Sequence, residues 1–444
     1  MEAGDVKAEL DIRNDKIWKI LVSLGVPLII VNLSTIASTA LLNQIYTEQI
    51  GNQYFMVNGY LTIFVNTCTQ LIGALSSAIW IKSASAYTRT KEKGSITVNA
   101  FYTMLCGIGI FAAVCITFAD PLLHFLQIPA DVYEMVRKYF FLYTAGLFLV
   151  GIGDLARAFN NGLGSITDAC IGNLISAVTT VAAAILLLIL FRAGLYGGAF
   201  VTAVGNLMLF ACCIILLRKR GVCPQKKQWK FRQKLVLGNL KYGSLMIFQV
   251  LLCIIGSFAA SVQTNRCCSA DFISVMSVNL PINAPMNCVT TLSVVFIPQN
   301  YQKGSGERVR KFLKIIGIMT VSYGICCALF YILSGKWYFS GIFTDPKLIE
   351  MGQQFWFCRG FGFIFVAFIY VFRYFLDSIG LGKVALLSGV GELLGRLICA
   401  CYLIPKYGNI GAALVDTVGW LMGAVFLVSA YLVCRKKIYS AISE

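Results

Sequence analysis

Long apolar runs alternate with short polar loops along almost the whole chain. Runs of about 18 or more apolar residues are long enough for a helix to cross a bilayer. Barrel strands would be about ten residues long and would alternate in polarity, so these runs predict helices. The predicted helices span 17–45, 53–81, 98–118, 134–158, 166–191, 196–218, 235–262, 270–297, 312–334, 349–376, 384–404 and 409–434. The pattern therefore predicts an all-α polytopic membrane protein with twelve transmembrane helices.

Composition supports this class. Of the 444 residues, 58% are hydrophobic and only 13% are charged, whereas a soluble protein carries about a quarter charged residues. The first segment, 17–45, is longer than the apolar region of a cleaved signal peptide, and no small-residue cleavage site follows it. We therefore expect this segment to be retained as a membrane helix.

Positive charge is concentrated in alternate loops. The formal net charge is +17, and basic residues cluster at 82–93, 218–234, 303–314 and 435–437. By the positive-inside rule, this distribution predicts that both termini lie in the cytoplasm. We expect a multi-pass protein of the plasma membrane. No aromatic-basic surface motif accompanies the charge, so we expect a lipid bilayer and not a nucleic acid as the partner.

The longest polar interval, 218–234, lies at the midpoint of the chain. We predict an N-lobe at 1–218, a cytoplasmic linker at 219–234 and a C-lobe at 235–444. Segment 139–150 aligns with 355–366, and Arg157 aligns with Arg373 at the same displacement of 216. Parallel repeats of this kind enclose a cavity at their interface and suit alternating access. The alternative is two similar bundles with no passage between them.

Cysteine is abundant, but its spacing does not indicate a metal site. The 17 cysteines lie mostly within apolar runs, no CxxC motif is present, and His124 is the only histidine. Such cysteines are typical small apolar packing residues in a reducing compartment. We therefore expect no cofactor and no bound metal.

Two stretches of the second half resemble the multidrug and toxic compound extrusion (MATE) family. Segment 291–312, TLSVVFIPQNYQKGSGERVRKF, has a Gln-Asn pair, a glycine-rich turn and an arginine-rich helix start. Segment 373–396, RYFLDSIGLGKVALLSGVGELLGR, resembles a family stretch that ends in Glu-x-x-x-Arg. The resemblance implies two six-helix lobes around a central cavity. It also implies secondary active export of amphipathic, often cationic, small molecules in exchange for H⁺ or Na⁺.

The chain also departs from the family pattern. Many bacterial members carry an aspartate in the first helix, where this chain has Leu42 and Asn43. Asp377 stands where the family has a glutamine, and Gln249 is the polar residue nearest to an acid sometimes found in the seventh helix. Acids suited to binding a cation are therefore expected only in the C-lobe.

Glu392 and Asp416 are the predicted cation-coupling residues. Glu392 and Arg396 are four residues apart, so they share a helix face and can form an ion pair. Ionised groups at membrane depth are costly unless they are paired or face water. The Glu392 pair is therefore either structural or a site of H⁺ or Na⁺ exchange. Asp416 has no oppositely charged neighbour within one turn, so it must find a partner on another helix or face the cavity.

Further charged residues are predicted to form ion pairs. Arg359 is expected to pair with Glu392 or Asp416, with binding of an anionic substrate group as the alternative. Near the cytoplasmic helix ends, the pairs Asp154–Arg157 and Asp377–Arg373 are interpreted as gating or anchoring salt bridges.

Uncharged polar residues are candidates for the substrate cavity. Asn279, Asn283 and Asn287 recur every four residues, which places them on one face of the predicted eighth helix. Interhelical hydrogen bonding is the alternative role for any one of these residues. The predicted cavity residues are Asn279, Asn283, Gln249, Asn43, Asn66 and Gln70.

The leading hypothesis is a monomeric exporter of the MATE type, which is not an enzyme. One rival is a flippase for a lipid-linked saccharide, whose cavity would need several basic residues for a pyrophosphate. Arg359 is the main basic residue expected there, which favours the exporter. The other rivals are a membrane-embedded enzyme, for which no acid–base or metal constellation is seen, and a family member that no longer transports.

Overall fold

The computed structural model describes residues 14–87, 93–163, 166–219, 226–301, 305–379 and 381–443. All regular elements in these ranges are helical. In the first half the helices are α1 (Ile17–Gln49), α2 (Asn52–Tyr87), α3 (Lys93–Thr117), α4 (Ala119–Phe125), α5 (Tyr133–Leu163), α6 (Ile166–Ala184) and α7 (Gly194–Lys219). A π-helical turn, Ile185–Leu190, continues α6.

The second half begins after a short 3₁₀ turn, Lys226–Gln228. Its longer helices are α8 (Gln233–Cys267), α9 (Ala270–Ser277), α10 (Asn287–Tyr301), α11 (Gly306–Ser340), α12 (Pro346–Gly360), α13 (Gly362–Ser378) and α14 (Gly382–Ile398). A π-helical turn, Cys399–Leu403, continues α14. It is followed by α15 (Ile404–Tyr407), α16 (Asn409–Ala413) and α17 (Val415–Ser443).

Each of the twelve predicted segments coincides with one helix or with consecutive helices. The tenth segment is covered by α12 and α13, and the twelfth by α16 and α17. Within the described ranges, nine helical stretches are long and apolar enough to cross a membrane. The predicted all-α polytopic membrane fold is therefore confirmed. The described residues between α7 and α8, 226–232, contain a short 3₁₀ turn and no α-helix, and they lie within the predicted linker. The division into two lobes stays a prediction.

The predicted eighth helix, 270–297, is wrong in its middle. Helix α9 ends at Ser277, and α10 begins only at Asn287, after a 3₁₀ turn, Ala284–Met286. Proline has no amide hydrogen to donate, and Pro281 and Pro285 lie within this break. Two carbonyl groups of the break accept hydrogen bonds from tyrosine hydroxyls of α11, Leu280 from Tyr331 at 2.6 Å and Ile282 from Tyr323 at 2.7 Å.

The break disrupts the row of three asparagines that was expected on one helix face. Asn279 and Asn283 lie outside regular helix, and Asn287 starts α10. The three residues therefore do not share one helix face, because a four-residue spacing aligns side chains only while the helix is continuous.

Glycines allow α14 to pack closely against α17. An added Cβ at Gly391 would lie 2.6 Å from the carbonyl oxygen of Met422, and one at Gly395 would lie 2.7 Å from that of Val418. Small residues four apart permit this kind of backbone approach between membrane helices. The packing holds Glu392 and Arg396, on α14, in the same region as Asp416, at the start of α17.

Two structural features recur in the two halves. The π-helical turns follow α6 and α14, the fifth and eleventh predicted segments. The guanidinium of Arg157 also donates to Asn173, 16 residues later, and that of Arg373 donates to Ser388, 15 residues later. The repeat seen in the sequence thus extends to local backbone geometry and to a conserved type of helix–helix contact.

Candidate functional site

A cavity of about 660 Å³ lies between α2 of the first half and helices of the second half. Its volume falls within the range of about 300–1,000 Å³ that is usual for small-molecule sites. Helix α2 contributes uncharged polar groups, namely Asn58, Thr62, Asn66 and Gln70. Among the residues that the structure describes, all charged lining residues come from the second half: Arg359, Arg373, Glu392, Arg396 and Asp416. The wall facing α2 thus carries three guanidinium groups and two carboxylates.

Glu392 lies between two arginines. Its carboxylate oxygens are 2.7 Å from the Arg373 guanidinium and 3.2 Å from that of Arg396. Arg373 also donates from Nε to the Ser388 hydroxyl at 2.8 Å. Only 8% of Glu392 is exposed. Two charge-assisted contacts therefore hold the Glu392 carboxylate in place.

Asp416 has a more open environment. Its carboxylate is 3.1 Å from one guanidinium, that of Arg359 on α12, and 33% of its side chain is exposed to the cavity. Arg359 also donates to the side-chain oxygen of Asn279 at 3.1 Å. The Nε atom of Arg359 is buried and has no hydrogen-bond partner among the described residues. Asp416, Arg359 and Asn279 therefore form a chain that links α17, α12 and the break after α9.

Asp154, the predicted ion-pair acid of the first half, lies outside the cavity lining. Asp154 forms an ion pair with Arg157 and accepts a hydrogen bond of 2.5 Å from the Ser76 hydroxyl. Arg157 donates to Asn173 on α6. These contacts connect α2, α5 and α6, as expected of an anchoring salt bridge.

The expected Asp377–Arg373 pair is absent from the described part of the chain. The Arg373 guanidinium instead bonds Ser388 and Glu392 on α14. Both acceptors lie on one face of α14, four residues apart, and together they occupy the Nε and Nη2 donors of the guanidinium. The prediction for Asp377 was therefore wrong, because a partner on a neighbouring helix replaces the one on the same helix.

The uncharged candidates divide into four groups. Asn279, Asn66 and Gln70 line the cavity, as predicted. Asn43 is buried and donates to the Asn279 carbonyl and the Tyr338 hydroxyl, each at 3.1 Å. Asn283 immediately precedes the 3₁₀ turn and does not line the cavity. The side chain of Gln249, on α8, lies outside the described residues.

Two sets of lining residues were missed in the sequence. On α8, Ser257, Ser261 and Thr264 face the cavity, and their spacing of four and three residues was a usable helical signal. Arg373 and Arg396 were assigned to ion pairs and not counted as cavity residues, although both line it. The expectation that Arg359 would be the main basic residue of the cavity was therefore wrong.

The fold is similar to that of solved structures of MOP superfamily transporters. One solved structure, described as an inward-facing conformation of a multidrug resistance MATE family transporter of the MOP superfamily, aligns with a TM-score of 0.76 and 14% identity. That alignment covers 93% of this chain and 98% of the other. No protein-family model and no curated protein matches the sequence.

Two further solved structures broaden the comparison. A MOP superfamily transporter from Pyrococcus furiosus aligns with a TM-score of 0.72 and 15% identity, covering 99% of this chain and 100% of the other. Its description states that the reverse polarity of its binding pocket suggests a different function. The lipid II flippase MurJ, in an inward closed conformation, aligns with a TM-score of 0.72 and 13% identity over 95% of this chain and 90% of the other. The predicted resemblance to MATE transporters is thus confirmed for the fold.

Proposed function

We propose that the protein is a secondary active transporter that exports amphipathic small molecules, including organic cations, by alternating access. In this proposal H⁺ or Na⁺ moves inward in exchange. The observation that carries it is Asp416, a carboxylate that is one-third exposed in the central cavity and has a single arginine partner. Ionisable residues within membrane segments usually mark substrate or ion pathways.

Asp416 suits ion exchange better than Glu392 does. A coupling ion at Glu392 would have to compete with two guanidinium groups, at 2.7 and 3.2 Å. At Asp416 it competes with one, and the carboxylate already faces the cavity. We therefore assign Glu392 the structural role of holding α13 and α14 together, and Asp416 the coupling role.

The coupling step is a change of partner at one carboxylate. When a proton or Na⁺ binds Asp416, the attraction between Asp416 and Arg359 weakens, and Arg359 is free to turn towards other acceptors. An organic cation that approaches Asp416 displaces Arg359 in the same way. Because substrate and coupling ion use one carboxylate, they bind in alternation, which is the requirement for antiport.

A lipid-linked saccharide is the second candidate substrate. The observation that favours it is the set of three arginines in the cavity wall against two carboxylates. Guanidinium groups bind phosphate oxygens in a bidentate manner, and the Arg359 Nε is a buried donor without a partner in the described chain. The amide side chains of α2 would provide hydrogen bonds to sugar hydroxyls on the opposite wall.

Transport by purified protein in liposomes tests both candidates. Liposomes loaded with ethidium are exposed to a proton gradient and, separately, to a sodium gradient. Dye movement driven by one gradient is the expected result, and it identifies the coupling ion. If neither gradient moves the dye, but a lipid-linked pyrophosphate saccharide crosses the bilayer faster than in protein-free liposomes, the flippase candidate replaces the exporter.

Cellular orientation is part of the proposal. We propose a plasma-membrane location, and the basic loops predict that both termini lie in the cytoplasm. A protease added to intact cells is expected to leave a C-terminal epitope tag uncut and to cut it after permeabilisation. Cutting in intact cells would contradict this orientation.

A further inference from the structure

A second cavity, of about 330 Å³, lies between α11, α13 and α17, away from the central site. Its walls are formed by apolar residues of the three helices. Basic residues stand at one end. The lining residues are Arg310, Leu313, Lys314, Gly317, Ile318, Val321, Phe368, Val371, Phe372 and Tyr431. We call this cavity the basic groove.

The basic groove has the length and polarity of one lipid leaflet. Its α11 residues follow one helix face from Arg310 to Val321, which is about 16 Å at 1.5 Å per residue. This distance is about half of the 30 Å hydrocarbon core of a bilayer. The charged groups lie in the first turns of α11 and belong to the 303–314 basic cluster, and the deeper part of the groove is apolar.

A groove of similar size near the other end of α11 provides a contrast. It has a volume of about 340 Å³ and is lined by Ala40, Gln44, Trp337, Tyr338, Ser340, Gly341 and Ile342. No charged residue lines it. Apolar grooves therefore occur at both ends of α11, but only the one near the basic loops carries cationic side chains.

We propose that the basic groove binds an anionic phospholipid of the leaflet that faces the basic loops. Arg310 and Lys314 would contact the phosphate, and an acyl chain would lie along Ile318 and Phe372. Lys314 is exposed and has no carboxylate within ion-pairing distance in the described ranges. Basic pockets between membrane helices at this surface recognise anionic headgroups. This proposal is independent of what the central cavity transports.

Lipid retention measured by native mass spectrometry tests the proposal. The full-length protein in detergent is incubated with phosphatidylglycerol or with phosphatidylcholine, and bound lipid is counted. We expect preferential retention of phosphatidylglycerol, and a loss of about five-fold in its apparent affinity in Lys314→Gln. Lys311→Gln is the matched control, since Lys311 is exposed on the same turn but does not line the groove.

A second variant separates the groove from general surface charge. An added Cβ at Gly317 would meet only the Val371 side chain, at 3.7 Å, so Gly317→Leu can fill the groove without a backbone clash. We expect this variant to lose retention of phosphatidylglycerol while both basic residues remain. Equal retention of the two lipids by the wild type would overturn the proposal. So would equal losses in the two lysine variants, or full retention in Gly317→Leu.

Discussion

At the residue scale, two membrane-embedded carboxylates differ in the number of their partners. Glu392 is enclosed by two guanidinium groups, whereas Asp416 contacts one and faces the cavity. The ion pair of Glu392 with Arg396 could be predicted because both lie on one helix at a spacing of four. The contact with Arg373 could not, since it depends on how α13 packs against α14.

Removal of the Glu392 charge is expected to destabilise the protein. Glu392→Gln leaves the buried Arg396 and the partly buried Arg373 without their counter-ion, and the loss of one partner from a buried ion pair costs about 3–5 kcal/mol. Asp416→Asn should cost less, because the Asp416 side chain is one-third exposed. Thermal unfolding in detergent measures both variants. Equal shifts of the midpoint would contradict the structural role assigned to Glu392.

A pH effect is expected at the surface. Asp120 on α4 accepts hydrogen bonds from Arg137 at 2.7 Å and from the Tyr133 hydroxyl at 2.9 Å, and these contacts lower the pKa of its carboxyl group. A lowered pKa in the folded state means that the contribution to stability is present at neutral pH. It is lost as the pH falls below the ordinary pKa of about 3.9 towards the lower folded value.

Asp120→Asn should therefore lower the unfolding midpoint at pH 7 and lower it by less at pH 3. Paired thermal melts of the variant and the wild type at the two pH values measure this difference. If the difference in unfolding midpoint between the two proteins widens as the pH falls, the predicted direction of the pH effect is wrong.

At the element scale, close helix packing depends on individual glycines. An added Cβ at Gly59 of α2 would lie 2.5 Å from the carbonyl oxygen of Ile273 on α9, whereas one at Gly73 of the same helix meets nothing within 4 Å. The two positions therefore provide a matched comparison within one helix.

Gly59→Ala is expected to lower the unfolding midpoint, because α9 must move away from α2. Gly73→Ala should leave the midpoint unchanged or raise it, since alanine favours a helix over glycine by about 1 kcal/mol. Thermal unfolding of the two variants in the same detergent compares them directly. Equal effects of the two substitutions would argue against close packing of α2 on α9.

The sequence predicted helix positions better than helix continuity. Apolar runs set the length of a membrane helix, and that signal is local. The break between α9 and α10 is stabilised by Tyr323 and Tyr331, which lie on a different helix. Pro281 and Pro285 indicated a disturbance, but only these tertiary partners allow the chain to leave the helix between Ser277 and Asn287. Residues predicted from a continuous helix face, such as Asn283, were therefore misplaced.

At the scale of the whole molecule, the two halves of the chain share local features but contribute different chemistry to the cavity. An arginine contact between helices and a π-helical turn recur in both halves. In the described part of the chain, the charged lining residues come only from the second half, opposite an uncharged amide wall on α2. Sequence comparison of the halves predicted the repeat. It did not predict that Arg373 faces the cavity while Arg157, its counterpart, does not line it.

The central claim is that Asp416 couples ion movement to substrate movement. The most direct measurement is gradient-driven ethidium transport in liposomes containing wild-type protein, Asp416→Asn or Asp271→Asn. Asp271 is a matched control because it is also an ion-paired aspartate, 2.7 Å from Lys347, but lies outside the cavity lining. We predict wild-type transport in Asp271→Asn and loss of gradient-driven transport in Asp416→Asn. Wild-type transport by Asp416→Asn would contradict the account.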